Sequence, residues 1–394
     1  MKMPRRSGCF ILIAILTVFV ACQKPAQPLP SSPPSPPPSS PTDTAAVPKD
    51  TSTAKVYVLG TTNDSVVYWT KGVPTLLSTD PTAYANAMVL VDSDVYICGG
   101  RGIIDTFGTA NYWKNGISVS LGTVPDALGA NARGISVAGG DVYVGGITYF
   151  NDLTNNTSAK WGGIPVLWKN GQPTMLPDWS GYVEYFGYFQ NVRSNYVSSV
   201  YTSGSDVYVT GGGRVPIVYP PPYHFTGYWK NGVYIDLPNR LTDSGVLTTV
   251  SSLPTIESMV INGSDVYAVG YQNSDDPNFW EAVYWKNGVL FPMTPPPYGS
   301  WAYAMQIVGN DVYVVGISLS AGPQHATYWK NGVAALVDSS MYATDASSIF
   351  VSGNDVYVAG EKTYNGIGYA TYWKNGVEHQ LGYNGSANTI IVRY

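Results

Sequence analysis

The chain has 394 residues, with 42 glycines, 31 tyrosines and 11 tryptophans, but only 12% charged residues, roughly half the usual share. That scarcity excludes a coiled coil and a charge-rich disordered chain. Acids outnumber Lys and Arg 26 to 21, for a net charge of −5, so no basic surplus exists to neutralise nucleic acid.

The first element is an address. Lys2, Arg5 and Arg6 precede an apolar run from Phe10 to Ala21. That run is too short for a bilayer core, which needs about 20 residues, and suits the apolar segment of a secretory signal. It stops at Phe19-Val20-Ala21-Cys22, with small residues just before a cysteine. These four residues resemble a bacterial lipobox. The resemblance implies that residues 1–21 are removed as a lipoprotein signal peptide and that Cys22 carries the lipid. Gln23 stands where retention at the inner membrane uses Asp, so the expected location is the bacterial outer membrane, on its surface or its periplasmic side. On this reading residues 22–54 are the lipidated cysteine and an expected Pro/Ser-rich disordered tether, with Pro36-Pro37-Pro38 among its prolines. A polyproline-type spacer of this length reaches on the order of 90 Å when extended. Cys98, alone in a strand pattern, is expected to be a small buried hydrophobe without a disulfide partner.

From residue 55 to 394 the chain is one repeat. Asp-Val-Tyr recurs six times, with Tyr96, Tyr143, Tyr208, Tyr267, Tyr313 and Tyr357. A degenerate copy is Lys55-Val56-Tyr57. Trp-Lys-Asn-Gly also recurs six times, starting at Trp113, Trp168, Trp229, Trp285, Trp329 and Trp373, with the degenerate copy Trp69-Thr70-Lys71-Gly72. The two motifs alternate, at a minimal spacing of 44 residues between tryptophans, which indicates a propeller or solenoid array. Each unit reads as four short strands. In the last one, 346–351 and 355–359 flank a tight turn, and 370–373 and 377–381 flank Asn375-Gly376, a hairpin signal because both turn residues take φ > 0. The final segment, 387–394, matches a first strand that the unit at Lys55 lacks. The expectation is an all-β, seven-bladed β-propeller of four-stranded antiparallel blades, its ring closed by the C-terminal strand completing the first blade.

The glycine pairs after the second strand (Gly99-Gly100, Gly145-Gly146, Gly211-Gly212), followed by a Tyr and a Trp, distantly resemble kelch repeats. The hairpins of the Tyr328-Trp329-Lys330-Asn331-Gly332 kind are similar to bacterial extracellular repeat propellers of the HAF type. This resemblance spans nearly all of 55–394. It implies the propeller fold and leaves function open, because propellers host binding, enzymatic and scaffold roles.

In an antiparallel meander, successive turns alternate between the two ends of the sheet. Turns after the first and third strands therefore share one uniform face, and the other connections share the opposite one. The long connections, 147–166, 177–196, 213–226, 238–255, 271–282 and 291–301, lie on that second face and crowd into units three to five. Long loops on a rigid scaffold commonly carry function. Aromatic residues outside the repeat concentrate there, and Trp161, Trp179, Tyr182, Tyr185, Tyr188, Tyr223, Trp280, Tyr298 and Trp301 are the candidate ligand-binding residues. Their rigid apolar faces and polar tips suit a glycan or a protein segment.

Features present once per blade read as structural: the repeat Trp as core between blades, and the acids from Asp94 to Asp355 as turn residues paired with the lysines from Lys114 to Lys374. Glu184, Glu257, Glu281, Asp178, Asp275 and Asp276 read as solvated acids in or near the loops, with an acid/base pair formed by two of them as the alternative. His224 and His325 fall on the loop face and His379 in an outer strand, none with metal-ligand spacing. No catalytic motif, metal site or cofactor is implied. The sequence thus points to a monomeric, membrane-tethered binding module without nucleic-acid contacts. The alternatives are a polysaccharide hydrolase or lyase, and a periplasmic scaffold.

Overall fold

A computed structural model describes residues 54–102, 108–151, 161–177, 196–215, 223–237, 254–274, 279–293, 299–319 and 323–394, apart from the side chains of 151, 161–162, 214–215 and 223–225. These residues form seven four-stranded antiparallel sheets and no helix, a seven-bladed β-propeller. Blade seven is typical, with strands Ala343–Ser352, Asp355–Tyr364, Ile367–Lys374 and Val377–Tyr383. Blade one takes its first strand from the C-terminus. Ala387–Arg393 pairs antiparallel with Lys55–Thr62, from Lys55 opposite Arg393 to Gly60 opposite Ala387. The ring closes as the sequence implies.

Turn chemistry fixes the hairpins. Every connection from third to fourth strand is two residues, and both take positive φ, as in Asn115 (52°) and Gly116 (84°). That is the backbone twist a two-residue hairpin requires. Even the degenerate Lys71 (51°) and Gly72 (78°) adopt it.

The first strands of neighbouring blades pack against one another around the ring axis. Seven apolar clusters join the blades, and each contains one repeat tryptophan. The tryptophan faces the preceding blade and the Val-Tyr tyrosine faces the following one. Trp329 of blade six packs with Tyr267, Val269, Ala282 and Met293 of blade five. Tyr313 of blade six joins Trp373 and Val358 of blade seven. Strand periodicity of two sends side chains to alternate faces, so the sheets are apolar on both. Six of the seven tryptophans are under 2% exposed, and each removes on the order of 150–250 Å² from water. Cys98 is fully buried in the cluster between blades two and three, where burial pushes its thiol up to about 12.

The repeated charges close on themselves. Lys114 Nζ lies 2.8 Å from Asp94 Oδ2 and 5.1 Å from the centre of the Tyr96 ring. Asn115 Nδ2 donates to Asp94 Oδ1 at 2.8 Å, and its own Oδ1 accepts from the Val95 N–H at 2.8 Å. The same set recurs at Asp141, Asp206, Asp265, Asp311 and Asp355. The lysine and asparagine donors hold these carboxyls below the usual carboxylate range.

One irregularity also recurs in every blade. Each innermost strand carries a β-bulge, where one residue drops out of the pairing with the second strand. A glycine makes room for it. A Cβ on Gly60, Gly99, Gly146, Gly211, Gly270, Gly316 or Gly360 would sit 1.8–2.2 Å from a carbonyl oxygen of the bulged strand or the residue leading into it. These glycines serve a close backbone approach rather than a left-handed φ.

Candidate functional site

The bulged residues, from blade one to blade seven, are Asn388, Asn86, Arg133, Ser198, Glu257, Tyr303 and Ser347. All seven are half-buried. The residue before each is small or aliphatic and buried in a blade junction: Ala387, Ala85, Ala132, Val197, Ile256, Ala302 and Ala346. A bulge leaves its extra residue unpaired and re-aims its side chain. On the innermost strands this builds a ring of seven polar side chains around the channel, toward the face that carries the long connections.

Three members hold neighbouring blades together. Asn388 Nδ2 donates to the Ala85 carbonyl at 3.2 Å, Asn86 Nδ2 to that of Ala132 at 2.6 Å, and Ser198 Oγ to that of Ile256 at 2.7 Å. Each acceptor is the equivalent residue of the next blade, so this is one staple used three times. Arg133, Glu257, Tyr303 and Ser347 make no such bond among the described residues. The charge of Arg133, on blade three, acts on Tyr84 of blade two and on Glu257 of blade five. Arg133 stands at the bulge of its blade's innermost strand, the strand nearest the ring axis.

Glu257 is the one carboxylic acid among the seven bulged residues. Burial pushes its carboxyl up to about 7, against a hydrogen bond from Tyr271 and the positive charge of Arg133. Tyr271 meets Trp280 edge-on, with ring centres 5.3 Å apart. Burial raises Tyr303, and the acids Asp345 and Glu257 add to the shift. Asp345, two residues before the bulge of blade seven, is raised by burial despite the Ala346 N–H donating to it at 2.7 Å. Glu361, opposite Asp345 in the sheet, is raised by burial and by the Asp345 charge. On the other side of the ring, Tyr84 Oη donates to Asn131 Oδ1 at 2.8 Å, and Asn131 Nδ2 donates to Tyr149 Oη at 3.2 Å. The channel mouth therefore offers aromatic edges, a guanidinium, and carboxyl groups that burial raises above their ordinary range, Glu257 to about 7.

The structure places the sequence candidates unevenly. Trp280 opens the third strand of blade five and Trp301 lies two residues before the Tyr303 bulge, so both flank the ring. Trp161 and Tyr223 begin third strands, and their side chains lie outside the described set. Trp179, Tyr182, Tyr185, Tyr188 and Tyr298, with the acids Asp178, Glu184, Asp275 and Asp276, lie outside the described residues. The strands are longer than expected. The stretches 147–151 and 161–166, for example, belong to the sheet of blade three.

Two of the acids read as solvated need correction. Glu257 sits on the innermost strand of blade five, because the bulge brings a polar residue into the core-facing strand. Glu281 is buried on the third strand and accepts from Gln272 Nε2 at 2.8 Å. His325 starts the third strand of blade six, while His379 stacks on Tyr372 in the outer strand of blade seven, 4.5 Å apart.

Arg133, Tyr303 and Ser347 carry no motif. Their signal is an alignment within the repeat: Ala-Asn86-Ala, Ala-Arg133-Gly, Val-Ser198-Ser, Ile-Glu257-Ser, Ala-Tyr303-Ala, Ala-Ser347-Ser and Ala-Asn388-Thr. A polar position of changing chemistry follows a uniformly apolar one. Among the described residues, no group of three His, Cys, Asp or Glu side chains could hold a metal ion.

No family model and no curated protein matches the chain. Solved structures with a similar fold include the β-propeller domain of the trilobed protease from Pyrococcus furiosus, at 10% identity and a TM-score of 0.46 over 83% of this chain and 94% of that one. Acylaminoacyl peptidase from Pyrococcus horikoshii is 12% identical, with a TM-score of 0.46 over 84% of this chain and 50% of that one. A mutant Trypanosoma rangeli sialidase is 9% identical, with a TM-score of 0.42 over 79% and 54%. The chain thus spans about half the length of the peptidase and of the sialidase. At these identities the likeness concerns the fold alone.

Proposed function

We propose that this protein is a binding module that takes a glycan at the channel mouth, held at the bacterial outer membrane by a lipid on Cys22. The observation that carries this is the group formed by Glu257, Tyr271 and Trp280, beside ring members that, among the described residues, make no bond to a neighbouring blade. Sugar recognition needs an apolar face against the ring carbons and convergent polar groups for the hydroxyls. Tyr and Trp supply the first, and Arg133, Glu257, Tyr303 and Ser347 supply the second. The nearby candidate Trp301 extends the aromatic supply on the same face.

A glycan array probed with residues 54–394, which comprise the whole closed ring, tests this. Retention on specific glycans, weakened by Trp280→Ala and Tyr271→Phe in a folded protein, is the expected result. Binding of protein segments and of no glycan would contradict it.

A hydrolase or lyase reading draws on one specific observation. Glu257 and Asp345 are both raised, and both act on Tyr303. Such a pair could serve as acid and base. Release of reducing ends or unsaturated products from a bound glycan, abolished by Glu257→Gln, would favour it over a pure binder.

A further inference from the structure

We infer that the glycan taken at the channel mouth is an acidic one, whose carboxylate is received by Arg133. This rests on the glycan binding proposed above and adds the charge of the ligand. Arginine carries a permanent charge and a planar fork of donors that matches a carboxylate in two parallel hydrogen bonds. The other arginines with described side chains have partners: Arg101 lies 3.7 Å from Asp80, and Arg393 donates to the Leu90 carbonyl at 2.5 Å. Arg133 is half-buried, and among the described residues it has neither hydrogen bond nor ion pair. A half-buried cation with no partner among the described residues is suited to a ligand anion, which would offset the cost of its burial.

The acids of the mouth do not impose the opposite preference. A carboxyl can shed its charge by taking up a proton, and a guanidinium cannot. Glu257 is faced by Tyr271 on its own blade, Tyr196 on blade four, Arg133 on blade three and Tyr303 on blade six. Arg133 is the one cation in that set, and it does not hold the carboxyl ionised against burial. With Glu257 protonated, this part of the mouth presents a positive charge and an additional O–H donor. An arriving carboxylate favours that protonated form, so binding takes up a proton and weakens as pH rises through about 7.

The test is calorimetry with a tetragalacturonate oligomer and its fully methyl-esterified form, which differ in charge on one carbohydrate skeleton. A sulfated oligosaccharide is the third probe. The expected result is acid binding about tenfold tighter than ester binding in mildly acidic buffer, the scale of one charge-assisted pair. That preference should shrink about tenfold in mildly alkaline buffer. Arg133→Gln should erase the preference and Arg133→Lys restore part of it, with circular dichroism confirming that both variants fold. Glu257→Gln should keep the preference and lose its pH dependence. Equal or tighter binding of the ester, or a preference that survives Arg133→Gln, overturns the acidic ligand and leaves the glycan site standing. Tighter binding of the sulfated probe overturns the carboxylate assignment. Failure of all three probes, together with a blank glycan array, overturns the glycan site itself.

Discussion

Two regions of each blade repeat with the same regularity and differ in what they repeat. At the tight-turn face, the Asp, Lys, Asn and Tyr side chains are the same in six blades, and each set satisfies its own members. At the channel mouth, the bulge backbone is the same in seven blades, while its side chain is amide, guanidinium, hydroxyl, carboxyl or phenol. The first region leaves little chemistry over for a ligand. The second holds a fixed frame and varies what it displays, as a recognition site requires. Repetition of side chains marks scaffold here, and repetition of backbone with changing side chains marks the proposed site.

The sharpest way to break the comparison is to remove the frame. Deleting 387–394 strips the innermost strand from blade one and opens the ring. Cooperative thermal unfolding, followed by circular dichroism, should disappear. A truncated chain that melts cooperatively at the full-length temperature would show that the frame does not depend on closure.

Next in size is a junction residue. Trp329→Ala should cost about 3–5 kcal/mol in denaturant unfolding, as deletion of a fully buried aromatic does. A loss below about 1 kcal/mol would mean that the blades are held by something other than these clusters.

Site residues should behave in the opposite sense. The folded state lifts Glu257 to about 7, against roughly 4.3 in an unfolded chain. A raised acid leaves stability unaffected below the unfolded value. It penalises the folded state progressively between the two values, and fully above the higher one. Glu257→Gln should therefore stabilise the protein above about pH 7, by on the order of 3–4 kcal/mol, with no gain in acid. An unchanged or lowered stability at alkaline pH would place Glu257 among the structural residues.

The smallest effect belongs to the tight-turn face. Asp311 is held below the usual carboxylate range by Lys330 and Asn331, so its contribution is present at neutral pH and fades as pH falls below that range. The pair is exposed to water and screened. Asp311→Asn should shift the neutral-pH melting temperature less than either substitution above, with the difference vanishing in acid. A shift as large as that of Trp329→Ala would overturn the ranking.

Much of the frame was legible in the residues. The alternating Val-Tyr and Tyr-Trp strands, the Asn-Gly hairpins and the orphan strand after Ala387 fix seven blades and their closure, because each rests on local stereochemistry or on period-two burial. The inward site was legible only in part. Trp280 and Trp301 stand out as aromatics beyond the repeat. Glu257 reads as a solvated acid because nothing in Thr-Ile-Glu-Ser signals a bulge, and period-two alternation alone gives it no channel. The signal lies in a pairing partner about a dozen residues away, Gly270, whose missing side chain admits the extra residue. Arg133 and Tyr303 follow the same logic and carry no motif of their own.

Hydrogen–deuterium exchange of residues 54–394, with and without tetragalacturonate in mildly acidic buffer, tests most directly whether function resides in the bulged ring. Protection should concentrate on the innermost strands around Arg133, Glu257 and Tyr303 and on the strand carrying Tyr271, and leave the Asn-Gly turns at Asn115, Asn231 and Asn331 unchanged. Protection confined to those turns, with the innermost strands unaffected by a ligand that binds, would contradict the assignment of the site to the channel mouth.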